Sequence, residues 1–243
     1  MARLVLVASM ALAAAAVPSQ EVVPVHQEPR HHLVHEGDGF RVLDVQLESG
    51  DTTLFHTHDA PITYVSIDAS AVDTQPLGGE WGGTDSSATS AWEPGQVTWN
   101  LGYATEPLTH RVTTVGPGLF RLMGIINYGS GATDAKAPAP AMVGAIEAES
   151  RWFRVSRLLL DPGQRVLWSR SARPVVAVLV TEGRVVASQN GRTTEATARG
   201  AFFVQDALFD DIATQDAPPN TAAEYEFRNS GPAPVSLVFV ELR

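Results

Sequence analysis

Apolar and polar residues alternate in short runs along most of this chain. Phe40 to Leu47 reads Phe-Arg-Val-Leu-Asp-Val-Gln-Leu, close to the two-residue period of a half-buried strand, with Val42 and Leu43 breaking it. Glu48-Ser49-Gly50-Asp51 then reads as a turn. After Pro61, Thr63, Val65 and Ile67 share one face of a further strand and Tyr64, Ser66 and Asp68 the other. Gln75 to Ala91 is rich in Gly and Ser and reads as a loop, whose Trp81 is expected to pack on its own domain. Trp92 to Trp99 reads as a turn and a strand, and Leu119 to Ile126 as the last strand of this half. The pattern predicts an all-β chain.

The second half repeats the first. Phe153-Arg154-Val155 matches Phe40-Arg41-Val42 at an offset of 113, which continues through Gly163 on Gly50, Leu167 on Leu54, Pro174 on Pro61 and Val178 on Val65. Near the end Gly231-Pro232 matches Gly116-Pro117. Self-similarity at this length predicts a duplicated domain. The expected units are residues 30–130 and 145–243, joined by a Pro- and Ala-rich linker over 131–144.

Composition narrows the partners. The chain has 243 residues, 44% of them hydrophobic, which supports a sizeable core. The net charge of -10, with Lys136 the sole lysine, argues against nucleic acid or an anionic membrane as partner. Cysteine is absent, so any metal must be held by His and oxygen. Met1 to Ala16 reads as a secretory signal: Arg3, an apolar run from Leu4, and a small-residue end at Ala14-Ala15-Ala16. The expectation is an exported protein, periplasmic or extracellular, free of the membrane after cleavage. Val17 to Arg30, with three prolines, reads as an extended arm.

His56 and His58 are the candidate chemistry. Two apart on a strand, both imidazoles point the same way, with Leu54, while Phe55 and Thr57 point to the other face. A third imidazole from elsewhere would complete a metal site. His110 lies on another strand-like stretch, Pro107 to Gly116. His31, His32 and His35 lack this spacing and read as solvated or acid-paired. The repeat puts Ser169 and Ser171 on His56 and His58, and Tyr225 on His110, so the second copy has none of the three ligands.

Gly50, five residues, His56-Thr57-His58, then His110 resembles the two motifs of the cupin superfamily, small double-stranded β-helix barrels with a metal inside. The family's Glu shortly after the second His is missing, with Ile62 and Thr63 in its place, and Thr114 stands where an Asn is usual. The resemblance implies two cupin barrels packed as a pseudo-twofold pair, a bicupin. It implies one divalent transition metal per chain (Fe, Zn, Mn, Ni or Cu) on His56, His58 and His110, with Thr63 and Thr114 as pocket candidates. The opening His-His-x-Val-x-Glu run is similar to a strand that exported cupin-like proteins add to a sheet edge. The function implied is three-His dioxygenase chemistry on a small anionic or chelating substrate; the alternative is a non-catalytic ligand-binding or structural protein. Glu48 and Glu106 are candidate bases by position, though more readily read as exposed.

Overall fold

The alternating runs form strands. In the first half these are β1 Val22–Pro24, β2 His31–Gly37, β3 Phe40–Leu47, β4 Phe55–His58, β5 Ile62–Asp68, β6 Val72–Pro76, β7 Val97–Asn100, β8 Leu108–Thr114 and β9 Phe120–Asn127. In the second they are β10 Ala145–Glu149, β11 Phe153–Leu160, β12 Arg165–Ser169, β13 Val175–Leu179, β14 Val185–Gln189, β15 Arg192–Ala196, β16 Phe202–Val204, β17 Glu224–Asn229 and β18 Val235–Leu242. The computed structural model describes residues 20–68, 70–82, 92–132, 144–169, 173–189, 192–205 and 224–243. The expected signal Met1–Ala16, residues 133–143 of the expected linker, and Ser171 lie outside them. Among the described residues there is no α-helix, only two 3-10 turns.

Each half pairs a five-stranded sheet with a four-stranded one. The five-stranded sheets run β2-β3-β9-β5-β7 and β10-β11-β18-β13-β16, the same order of equivalent strands. The four-stranded sheets, β1-β4-β8-β6 and β12-β17-β14-β15, share a three-strand core and differ in the fourth strand. These are two double-stranded β-helix barrels of cupin type. As the motif comparison implied, His31–Gly37 is an edge strand, beside β3.

The break in alternation at Val42–Leu43 has a simple cause: β3 is buried on both faces. Leu43, Val45 and Leu47 point into the first barrel, while Phe40 and Val42 join a separate apolar layer. That layer lies between the barrels. Val65, Ile67, Met123 and Ile125 enter it from the first half, and Val155, Val178, Val238 and Val240 from the second. The contributors correspond under the repeat: Val178 stands 113 positions after Val65, and Val238 stands 115 after Met123. Equivalent faces therefore meet each other, which is the geometry of a twofold-related pair. Fully burying such a side chain contributes ~1.5–3 kcal/mol. Polar bonds tie the rim. Arg157 donates to the Gly95 carbonyl at 2.8 Å and Asn127 to the Trp152 carbonyl at 2.9 Å, and Arg199 pairs with Asp68 at 2.7 Å.

Candidate metal centre

Strand pairing brings the three histidines together. β4 and β8 are antiparallel, with His56 opposite His110 and His58 opposite Leu108. One ring nitrogen from each of His56, His58 and His110 lies within 4.8 Å of the others. His58 Nε2 and His110 Nε2 approach to 3.1 Å. That is about the spacing of two nitrogens each ~2.1 Å from one ion at a near-right angle. His56 Nδ1 donates to the Leu54 carbonyl at 3.0 Å, so its lone pair sits on Nε2. His56 Nε2 is buried without a hydrogen-bond partner. A buried acceptor left unpaired costs ~1–3 kcal/mol, and a cation beside it removes that cost. The residues present therefore fit a metal ion.

All three rings are kept neutral. Burial, then the neighbouring His31 and His110, depresses His56 to about 2 against the opposing bond to Leu54. Burial, then His110, His56 and His31, holds His58 well below the usual imidazole range. Burial and then His31 bring His110 down to about 4. Neutral imidazole is the form that binds metal, so these ligands need shed no proton near neutral pH.

A single extra residue aims His56. At the turn, Thr114 N–H donates to the Asp51 carbonyl and Thr52 bridges Thr113. From Thr52 to His56 the chain advances four residues on β4, while the partner retreats only three, from Thr113 to His110. The surplus is a β-bulge around Thr53 and Leu54. It frees the Leu54 backbone from the ladder. The Leu54 carbonyl accepts from His56, and its N–H donates to Glu28 Oε1 at 3.1 Å.

The amino-terminal arm supplies that carboxylate. From residue 20 onward the extended arm expected over Val17–Arg30 is a strand and a 3-10 turn fixed to the barrel. β1 pairs in parallel with β4, Val23 beside His56, and a 3-10 turn over Val25–Gln27 buries Val25 in the barrel. Glu28 follows, 2% exposed. It accepts from the Arg30 N–H at 2.7 Å and His31 Nδ1 at 2.6 Å as well as from Leu54. Burial alone would raise its carboxyl; the bonds from His31, Arg30 and Leu54 outweigh it and hold the group below the usual range. The His31 ring lies 4.5 Å from that of His56. Of the amino-terminal histidines, His31 alone reaches the centre, and it is acid-paired as expected.

The histidines open on a cavity of about 560 Å³. Thr63 does not line it: its hydroxyl donates to the Thr98 carbonyl on the face turned to the other barrel, and its neighbour Tyr64 faces the cavity. Thr114 also lies elsewhere, accepting from Gly50 N–H at 2.8 Å and donating to the Glu48 carbonyl at 2.6 Å. It fastens the turn where Gly50 takes φ +84°, a conformation that favours glycine. Glu48 and Glu106 are exposed and do not line the cavity. Trp81 is not among the described residues that line the cavity; the Arg111 guanidinium lies over its ring at 4.9 Å. No metal-ligand spacing points to Glu28, because it reaches the centre only through His31 and the backbone of Leu54.

Among the described residues the second barrel is filled. The β12–β17 ladder is unbroken, with Trp168 opposite Tyr225 as His56 is opposite His110. Without the bulge, the residue in the His56 position is Trp168, and Ser169 falls one place beyond; the ungapped alignment slips there. Trp168 and Tyr225 rings lie 5.3 Å apart, and the Tyr225 hydroxyl donates to the Gln205 carbonyl at 3.1 Å. The described residues around them leave a cavity of about 10 Å³.

Among solved structures the chain is similar to AerE from Microcystis aeruginosa, at 9% identity over 90% of this chain and 96% of that one, TM-score 0.60. It is also similar to salicylate 1,2-dioxygenase from Pseudoaminobacter salicylatoxidans in its gentisate adduct, at 11% identity over 84% of this chain and 68% of that one, TM-score 0.51. YlbA from E. coli matches at 10% identity over 84% and 77%, TM-score 0.50. At these identities the likeness is one of fold. No protein-family model and no curated protein matches the chain.

Proposed function

We propose that this is a metal-dependent bicupin whose first barrel acts on a small organic molecule at a three-His centre. One observation carries the reading: three neutral imidazoles, one with an orphaned buried Nε2, converge at the wall of an open cavity. His56, His58 and His110 would hold one divalent transition metal. The ion would supply Lewis acidity and, if iron, redox chemistry toward dioxygen. The chain's own part is to keep the three rings neutral, to aim His56 through Leu54 and to enclose the reactants. Likeness to a dioxygenase in fold is an analogy that supports oxygenase work without establishing it. A non-catalytic ligand-binding role is the second reading, supported by the lack of any carboxylate among the described cavity-lining residues. We also carry forward export, from Met1–Ala16, and a monomer whose two barrels mimic a dimer.

Elemental analysis after anaerobic reconstitution should find about one metal per chain, because only one barrel has the ligands. Two metals, or none, rejects the centre as described. Oxygen uptake by the iron form with a panel of small phenols and diketones then separates enzyme from binding protein.

A further inference from the structure

The cavity wall that the described residues form is aromatic and uncharged. Among the described residues Tyr64, Trp92, Tyr103 and Phe120 supply ring surfaces, and the polar lining consists of Thr74, Gln96, Thr98 and Asn100 beside the histidines. Tyr103 stacks on His58, centroids 4.9 Å apart and planes 27° apart. Trp92 bridges Tyr64 and Phe120 at 5.9 and 6.0 Å. No Lys, Arg, Asp or Glu is among the described lining residues, and burial pushes the Tyr64 phenol well up, so it too is neutral.

The nearby guanidinium groups are engaged elsewhere. Arg111 follows His110 on β8 and so points to the opposite face, over Phe55 at 4.8 Å and bonded to Gln75 at 2.6 Å. Arg30 pairs with Asp51, and Arg121 with Asp44. Residues 83–91, between Trp81 and Trp92, contain no basic residue in their sequence. An anionic group in the body of a ligand would be desolvated here with nothing to pair it, a cost of several kcal/mol. Aromatic walls instead reward a ring by offset or edge contact.

We propose that the first barrel takes a flat aromatic ligand whose body carries no formal charge, any ionised oxygen being confined to the end at the three histidines. Only that last clause rests on the metal-centre reading. It narrows the expected anionic or chelating substrate to a chelating one.

The test uses two probes with the same vicinal diol, 2,3-dihydroxynaphthalene and 6,7-dihydroxynaphthalene-2-sulfonate, which carries a charge at the far end. Both are titrated by calorimetry into metal-loaded and metal-stripped protein. The neutral probe should bind at least about tenfold more tightly in both forms, and Trp92→Ala should weaken it at least about fivefold. Equal or tighter binding of the sulfonate, no binding of either probe, or full affinity in Trp92→Ala overturns the proposal. A protein that takes up no metal but keeps the preference refutes the metal centre and supports this inference.

Discussion

The histidines differ in what each one loses if removed. The His58 side chain, in a residue 3% exposed, faces His110 through Nε2 and makes no hydrogen bond to the backbone that would hold the strand. The second barrel folds with aromatic residues in two of the corresponding places, so the scaffold does not require imidazoles. His58→Ala should therefore drop metal content below about a tenth of the wild-type value while circular dichroism stays unchanged. Full metal retention in a folded variant would rule out His58 as a ligand. The pH response has a defined sign. The folded-state values of His56, near 2, His58, well below normal, and His110, near 4, all lie under the ordinary 6.5. As pH falls through about 6.5, the unfolded chain takes up protons that the folded chain refuses. The metal-free protein should lose stability from there downward, less steeply below about pH 4, where His110 is half protonated and only His56 and His58 still refuse protons. Urea midpoints at pH 7.5, 6 and 5 measure this, and a flat profile contradicts it. His110→Gln should make the slope shallower.

At the level of elements, β4 does its work through three neighbours: β8 opposite, β1 beside it, and the bulge within it. Glu28 links them. Glu28→Gln keeps shape but loses the charge that accepts three hydrogen bonds, and should weaken metal affinity ~10–100-fold, as outer partners of metal ligands commonly do. A competition titration against a chelator reads this; wild-type affinity in the variant would show that the Leu54 peptide needs no such tether. In the other barrel, Trp168→Ala should cost ~3–5 kcal/mol by opening a void beside Tyr225 and Phe227, read as a shift of the urea midpoint. A cost under about 1 kcal/mol would mean that the ring fills little space. The histidine pair on β4 was legible because the two-residue period fixes which way side chains point. The arm was not, since three prolines mask a strand that pairs in parallel over only three residues. The fate of the second copy was half legible. Loss of the imidazoles could be read directly, but the one-residue slip that puts Trp168 in place of Ser169 is a property of the ladder.

For the molecule as a whole, the apolar layer between the barrels decides behaviour. It was legible only as a fault in the alternation at Val42 and Leu43, because a sequence shows that both faces are apolar but not what covers the second. With Phe40, Val65, Met123, Val178 and Val240 all 2% exposed or less, the halves share a fully buried layer beside their own cores. Unfolding in urea should be a single transition by tryptophan emission and by far-UV dichroism alike, even though Trp92 and Trp99 report on one barrel and Trp168 on the other. Val178→Asp, a charge at the centre of this layer, should destabilise by more than about 3 kcal/mol and lower metal retention in a barrel it does not belong to. Two separated transitions in the wild type would show that the halves are independent.

The bulge at Thr53 and Leu54 gives the metal centre a parity. A strand has only two phases, and one residue more or less exchanges them. Here the bulge absorbs that exchange between the turn and the ladder: deleting Leu54 should leave His56 opposite His110, as Trp168 is opposite Tyr225, but remove the carbonyl that aims its ring, weakening metal affinity without altering any ligand. Duplication is what makes such a change survivable: one copy can shift its frame and seal its interior while the other keeps the chemistry.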